Sequence, residues 1–176
     1  MACSQTLSGI PLTCDTSKGG IIEVYIVTWN ELSGGTSAYG VSDNVVTAIT
    51  LTTSATWKKY EFKKNTGSMT STLNVDDANG VNYVSTDLVL QFNRMETSKR
   101  IEMAALSVSD LAVVCRDANN KYWLLGYNEP VSATAGTGQT GTARTDGNFY
   151  QITLQANDDS YPMELNTEAI ASLNTQ

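Results

Sequence analysis

Side chains that commonly perform chemistry are sparse in this chain. Histidine is absent, which removes imidazole-based general-base catalysis and the commonest transition-metal ligand. The three cysteines, Cys3, Cys14 and Cys115, show no CxxC spacing, and an odd number argues against a disulfide framework. Cys3 and Cys14 bracket Leu7, Ile10, Pro11 and Leu12, which leaves open a bridge or a zinc site between them. Two sulfurs without imidazole are a poor zinc set. Cys115 ends the apolar run Leu111-Ala-Val-Val-Cys115 and reads as a small buried hydrophobe.

Carboxylates and glycines offer little more. Asp76-Asp77 and Asp158-Asp159 are adjacent pairs whose members point different ways in extended chain, so neither suits paired acid–base work. The Asp76 to Gly80 stretch fails as a calcium loop, because the position of the first carboxylate is occupied by Val75. Gly136-Thr-Gly-Gln-Thr-Gly141 matches G-x-G-x-x-G, but no helix follows to meet a pyrophosphate, so it reads as a flexible loop. No catalytic, cofactor-binding or metal-ligating residue is assigned. Thr56 to Lys64 sets Trp57, Tyr60 and Phe62 among Lys58, Lys59, Lys63 and Lys64. That mixture suits stacking on bases, or a partly exposed strand at a sheet edge or subunit contact with snorkelling lysines.

The elements that would position these residues are mostly strands. Ile21 to Trp29 is apolar on both faces, as in a central strand or one covered by another subunit. Strands are also expected at Val45 to Leu51, Thr56 to Lys64, Met69 to Val75 and Val81 to Phe92, with a turn at Asp76 to Gly80. Ile101, Ala104, Ala105, Val108 and Leu111 recur at helical spacing, which predicts one helix from about Thr97 to Asp110, capped by Thr97 or Ser98. A hairpin follows, Leu111 to Arg116 and Lys121 to Tyr127 about the turn Asp117 to Asn120. A last strand runs from Asn148 to Leu154. Two long Gly-, Ser- and Thr-rich loops, 30–44 and 128–147, exceed what an idle connection needs. From about 155 an extended tail follows, ending in a short helical piece, Thr167 to Leu173. The whole reads as a single mainly β domain over 1–176, an antiparallel β-sandwich or barrel with one flanking helix.

With 176 residues, 41% hydrophobic and 16% charged, the chain has the composition of one folded domain. A net charge of −7 disfavours gripping a phosphate backbone and suits a surface along which nucleic acid passes. The start, Met-Ala-Cys-Ser-Gln-Thr-Leu7, lacks the basic and apolar blocks of a secretion signal, and no apolar run is long enough to cross a bilayer, so synthesis in the cytosol is expected.

Lys58-Lys-Tyr-Glu-Phe-Lys-Lys-Asn-Thr-Gly-Ser-Met-Thr-Ser-Thr-Leu73, Leu88-Val-Leu-Gln-Phe-Asn-Arg-Met-Glu-Thr-Ser-Lys-Arg-Ile101 and Gly138-Gln-Thr-Gly-Thr-Ala-Arg-Thr-Asp-Gly147 resemble structural proteins of tailed phages that infect gut Bacteroidetes, crAss-like phages among them. The order of elements resembles tail-tube proteins. That resemblance implies a non-enzymatic virion subunit of the tail or neck, made in the host bacterial cytoplasm. It would form a homo-oligomeric ring, hexamer or dodecamer, around the DNA channel. Neighbouring tail, neck or portal-complex proteins would sit above and below, with no sequence-specific DNA contact, cofactor or membrane. It also implies an acidic lumen, the two long loops as ring and stacking contacts, and the Ile101, Ala105 and Val108 stripe packed on the sheet. Candidate inter-subunit contacts are Trp29, Tyr39, Trp57, Tyr60, Phe62, Gly136, Gly138 and Gly141. The alternative is a capsid decoration or fibre-type module that binds host glycan, with Trp29, Tyr39 or Trp57 as its stacking platform.

Overall fold

Strand β1 (Ile21–Thr28) buries both faces, as its unbroken apolar run requires. Val24 and Ile26 point to one side, Tyr25 and Val27 to the other, and none exceeds 5% exposure. The computed structural model describes residues 8–173. After β1 come two short 3-10 turns, Trp29–Glu31 and Gly35–Ala38, then β2 (Tyr39–Ser42), β3 (Val45–Ile49), β4 (Lys58–Tyr60), β5 (Gly67–Asp76) and β6 (Val81–Asn93). Helix α1 (Thr97–Val108) leads to β7 (Leu111–Asp117), β8 (Tyr122–Leu125), β9 (Ser132–Gln139), β10 (Phe149–Asp158), β11 (Met163–Leu165) and α2 (Thr167–Leu173).

These strands form two sheets, one of seven strands in the order β2-β3-β11-β8-β7-β1-β4 and one of four in the order β5-β6-β10-β9. Every pairing is antiparallel except β11 with β3. The expected mainly β sandwich with a flanking helix is the observed architecture. Val24, Ile26, Val113 and Cys115 meet Leu88, Leu90, Ile152 and Leu154 between the sheets in one core. A second core joins Tyr25, Val27, Ala112 and Val114 to Leu32, Tyr39, Trp57, Ala169 and Leu173. The second face of β1 is therefore covered by its own chain, and the option of a covering subunit falls away.

Two of the hairpins lie where turn chemistry places them. Asp76 accepts from the Ala78 N–H at 3.0 Å and the Asn79 amide at 2.6 Å, and Gly80 takes the positive φ of 67° that closes the β5–β6 turn. Between β7 and β8, Asp117 accepts from the Asn119 and Lys121 N–H groups at 2.8 and 2.9 Å, with Asn120 at φ 64°.

Five expectations are corrected. Helix α1 is capped by Glu96 in extended backbone, without a side-chain cap bond. Its buried residue is Leu106, beside half-buried Met103, while Ile101 is 56% and Val108 85% exposed. Met103 and Leu106 remove more apolar area from water than a face containing two alanines, so the helix turns that way. The 30–44 stretch is no exposed loop, because it holds β2 and buries Leu32, Ala38 and Tyr39. The Tyr39 ring lies 5.6 Å from Tyr127 and 6.4 Å from Trp29, and its hydroxyl donates to the Gly126 carbonyl. The 128–147 stretch contains β9, whose small residues read as loop but receive a ladder from β10. The tail is not extended either: β11 inserts between β3 and β8, and α2 buries Ala169 and Leu173.

Gly126 adopts φ +81°, and a Cβ there would sit 2.7 Å from Val131 Cγ2 and 3.1 Å from the Glu129 carbonyl oxygen. Gly126→Ala is expected to destabilise the subunit by ~1–3 kcal/mol from backbone strain alone, with the Val131 contact adding to it. Chemical denaturation would check this through a lower midpoint at unchanged slope.

Candidate functional site

The eight candidate contact residues do not form one surface. Tyr39 and Trp57 are 7% and 5% exposed in the second core, which removes both as contacts between subunits. Tyr60 and Phe62 are half-buried against the first core, where the Tyr60 ring lies 6.1 Å from Phe92 and its hydroxyl donates to Glu102. Burial and the neighbouring Glu102 carboxylate raise the Tyr60 pKa. Trp29 stays partly open to solvent. The glycines have intramolecular reasons. A Cβ at Gly138 would meet the Tyr150 ring at 2.9 Å, and Gly141 needs φ +71° beside Asp146. Gly136 and Gly138 lie within β9, and the chain leaves that strand into a turn rather than a helix.

Groups with reactive potential are held in structural roles. The Asp158 carboxylate accepts from the Gly126, Tyr127 and Asn128 N–H groups at 3.2, 3.0 and 2.8 Å, which fixes the turn after β8. Burial raises its pKa against the pull of those three donors. No cluster of three metal-ligating side chains occurs among the described residues. Cys14 is exposed and Cys3 lies outside the described residues, so the bridge or zinc site proposed for that pair does not enter the geometry.

Cys115 is fully enclosed, with its thiol pushed up to about 12 by burial and by the charge of Asp117. At pH 8 its thiolate fraction is on the order of 10⁻⁴. In a Cys3→Ser/Cys14→Ser variant, Ellman's reagent is expected to leave the native protein unmodified and to titrate one thiol per chain in denaturant. Rapid native labelling would show that the inter-sheet core opens.

The distinctive surface is the outward face of the four-stranded sheet. In β6 the even-numbered residues Val84 to Phe92 face the core, so Tyr83, Ser85, Asp87, Val89 and Gln91 face out. Register carries that face onto Thr70 and Thr72 of β5, Gln151, Thr153 and Gln155 of β10, and Thr137 of β9. None of the four strands contains lysine or arginine. Asp87, in the middle of this face, accepts from the Gln155 amide at 2.8 Å. What forms is a carpet of uncharged hydroxyl and amide groups.

Among the described residues both edges of this sheet, β5 and β9, end without a further strand, and α1 packs beside β9. The β9 sequence Ser-Ala-Thr-Ala-Gly-Thr-Gly-Gln139 has neither charge nor proline, the usual devices that block strand addition. Directions alternate across the four strands. A copy related by simple rotation would therefore bring its β5 antiparallel to β9, continuing the ladder. Sequence reasoning missed this because β9 was assigned to a loop; the absence of Lys and Arg from these four strand segments was the available signal. Among the described residues no helix is long and apolar enough to cross a membrane. No protein-family model, curated protein or solved structure matches this chain.

Proposed function

We propose that this chain is a non-enzymatic structural subunit of a tailed-phage virion, closing into a ring of the tail or neck around the DNA path. The observation that carries this reading is the four-stranded sheet, whose edge strands β5 and β9 pair with no further strand among the described residues and whose outward face carries no Lys or Arg. Pairing β9 of each copy with β5 of the next satisfies both edges and turns the uncharged face into a continuous lumen wall. A wall without Lys or Arg forms no ion pairs with phosphates and releases no counterions, so DNA is held only weakly along it. The phage resemblance of the Lys58 to Leu73 and Leu88 to Ile101 stretches supports the same assignment.

Strand geometry favours the smaller of the two ring sizes. At ~4.8 Å between strands and a tilt of ~40°, six copies contribute a wall with a circumference of roughly 150 Å and a backbone diameter of roughly 48 Å. Side chains narrow that to a passage suited to one duplex. Twelve copies would double the diameter, far more than a duplex needs. The ring is thus hexameric, with neighbouring tail, neck or portal-complex rings above and below. The glycan-binding alternative loses two of its three stacking platforms with the burial of Tyr39 and Trp57. Electron microscopy and mass photometry of the purified chain test the proposal. Six-fold rings are expected, and a chain that stays monomeric at high concentration, even with neighbouring rings added, would overturn it.

A further inference from the structure

At one end of the sandwich a cavity of about 660 Å³ opens between Gly19–Ile22, the Phe62–Asn65 segment and Ala118. Its lining is apolar at Ile21, Ile22 and Phe62 and basic at Lys18, Lys63 and Lys64. None of these three lysines joins an ion pair among the described residues. At the opposite end the β5–β6 hairpin runs past the last core residue, Val84, into solvent. There Leu73 is 48%, Val75 56%, Val81 39% and Tyr83 38% exposed. Its tip carries Asp76 and Asp77, and no cation occurs in either strand. The ladder holds to the last pair, Asp76 with Val81, so the protrusion is a preformed rod that loses little entropy on docking.

We propose that the β5–β6 hairpin tip of one copy docks in the Lys18/Lys63/Lys64 cavity of a second copy, stacking one ring on the next. This rests on the ring reading above. The cavity residues Phe62 to Asn65 immediately precede β5, and the tip ends it. Ten residues of strand separate the two by ~33 Å. A tip therefore cannot enter its own cavity, and the contact is head-to-tail, the arrangement that propagates without closing. With β5 and β6 in the lumen wall at a tilt of ~40°, the rod projects beyond the rim of its ring towards the neighbouring ring. Charge selects the occupant. The tip presents two carboxylates to three ammonium groups, with apolar flanks for Ile22 and Phe62. The 8–17 segment exposes Ile10 and Leu12 almost completely, but it carries one carboxylate, Asp15, against the two of the tip.

A charge exchange on the full chain tests the proposal. Asp77→Lys with Ala78→Lys reverses the tip while keeping the Asp76–Asn79 turn bonds, and Lys63→Glu with Lys64→Glu reverses the cavity. Every altered side chain is exposed. By electron microscopy and sedimentation the unaltered chain is expected to form stacked rings, each double variant single rings, and a one-to-one mixture of the variants stacked rings again. Stacking that survives either reversal, or a mixture that stays unstacked, would overturn the docking. If only the cavity variant lost stacking, another segment would be the occupant and the tip would be excluded. Unaltered rings that never stack would overturn the inference and leave the ring reading standing, whereas a chain that never forms rings would remove both.

Discussion

Trp57→Ala is expected to cost the isolated subunit ~3–5 kcal/mol, a large part of the ~5–15 kcal/mol that holds a domain of this size together. The indole is 5% exposed and packs with Tyr25, Val27, Val46 and Leu124 in the second core. Truncation removes its apolar contacts and leaves a cavity that neighbouring strands can only partly close. The comparison that gives this meaning is Val75→Ala. Val75 is 56% exposed on the hairpin, and its loss should change monomer stability by less than ~0.5 kcal/mol. Urea titration at low concentration would measure both. A Trp57 variant as stable as the parent would return that residue to the surface and undo the assignment of the second core.

The second large effect concerns DNA. Ser85→Lys with Gln151→Lys places two cations on the central strands β6 and β10, both on the outward face and away from the edges that pair. Around a six-fold ring they form two belts facing the passage. Rings of the parent chain are expected to show no retention of linear duplex. The variant rings are expected to bind it strongly at ~50 mM salt and to weaken by roughly 10³-fold or more by ~200 mM, the signature of six or more phosphate contacts. Filter binding across a salt series would show this. Rings that ignore DNA with both lysines in place would mean that this face does not line a channel.

Local chemistry made parts of the fold legible. The Asp76 to Gly80 and Asp117 to Asn120 turns announce themselves because their carboxylates bond the backbone within two to four residues, with no help from the rest of the chain. The Thr167 start of α2 was legible for a similar reason, since Asn166 accepts from the Ala169 N–H at 2.8 Å. What sequence reading missed depends on distant partners. The Ser132–Gln139 stretch has weak strand propensity and becomes β9 through ten-residue β10. Helical spacing marked the Ile101/Ala104/Ala105/Val108 stripe, but spacing is silent about which side offers deeper neighbours, and Met103 and Leu106 took the core. Tyr39 and Trp57 looked like surface aromatics because glycine, serine or lysine surrounds them in sequence. Tyr39 meets Tyr127, and Trp57 joins a core built from β1, β3, β7 and β8, all from elsewhere in the chain. The outward face of the four-stranded sheet was legible only as a missing residue type.

The placement of β11 has a consequence for how the protein is made. Val46 of β3 waits for Leu165 as its parallel neighbour, which at ~5–20 residues per second leaves the β2–β3 hairpin without its flank for roughly ten seconds of translation. During that interval Tyr39, Val46 and Trp57 have no α2 to shelter them. Nascent chains should thus attract holdase chaperones until the ribosome delivers this last strand, and production in cells should be limited by that window more than by the stability of the finished subunit.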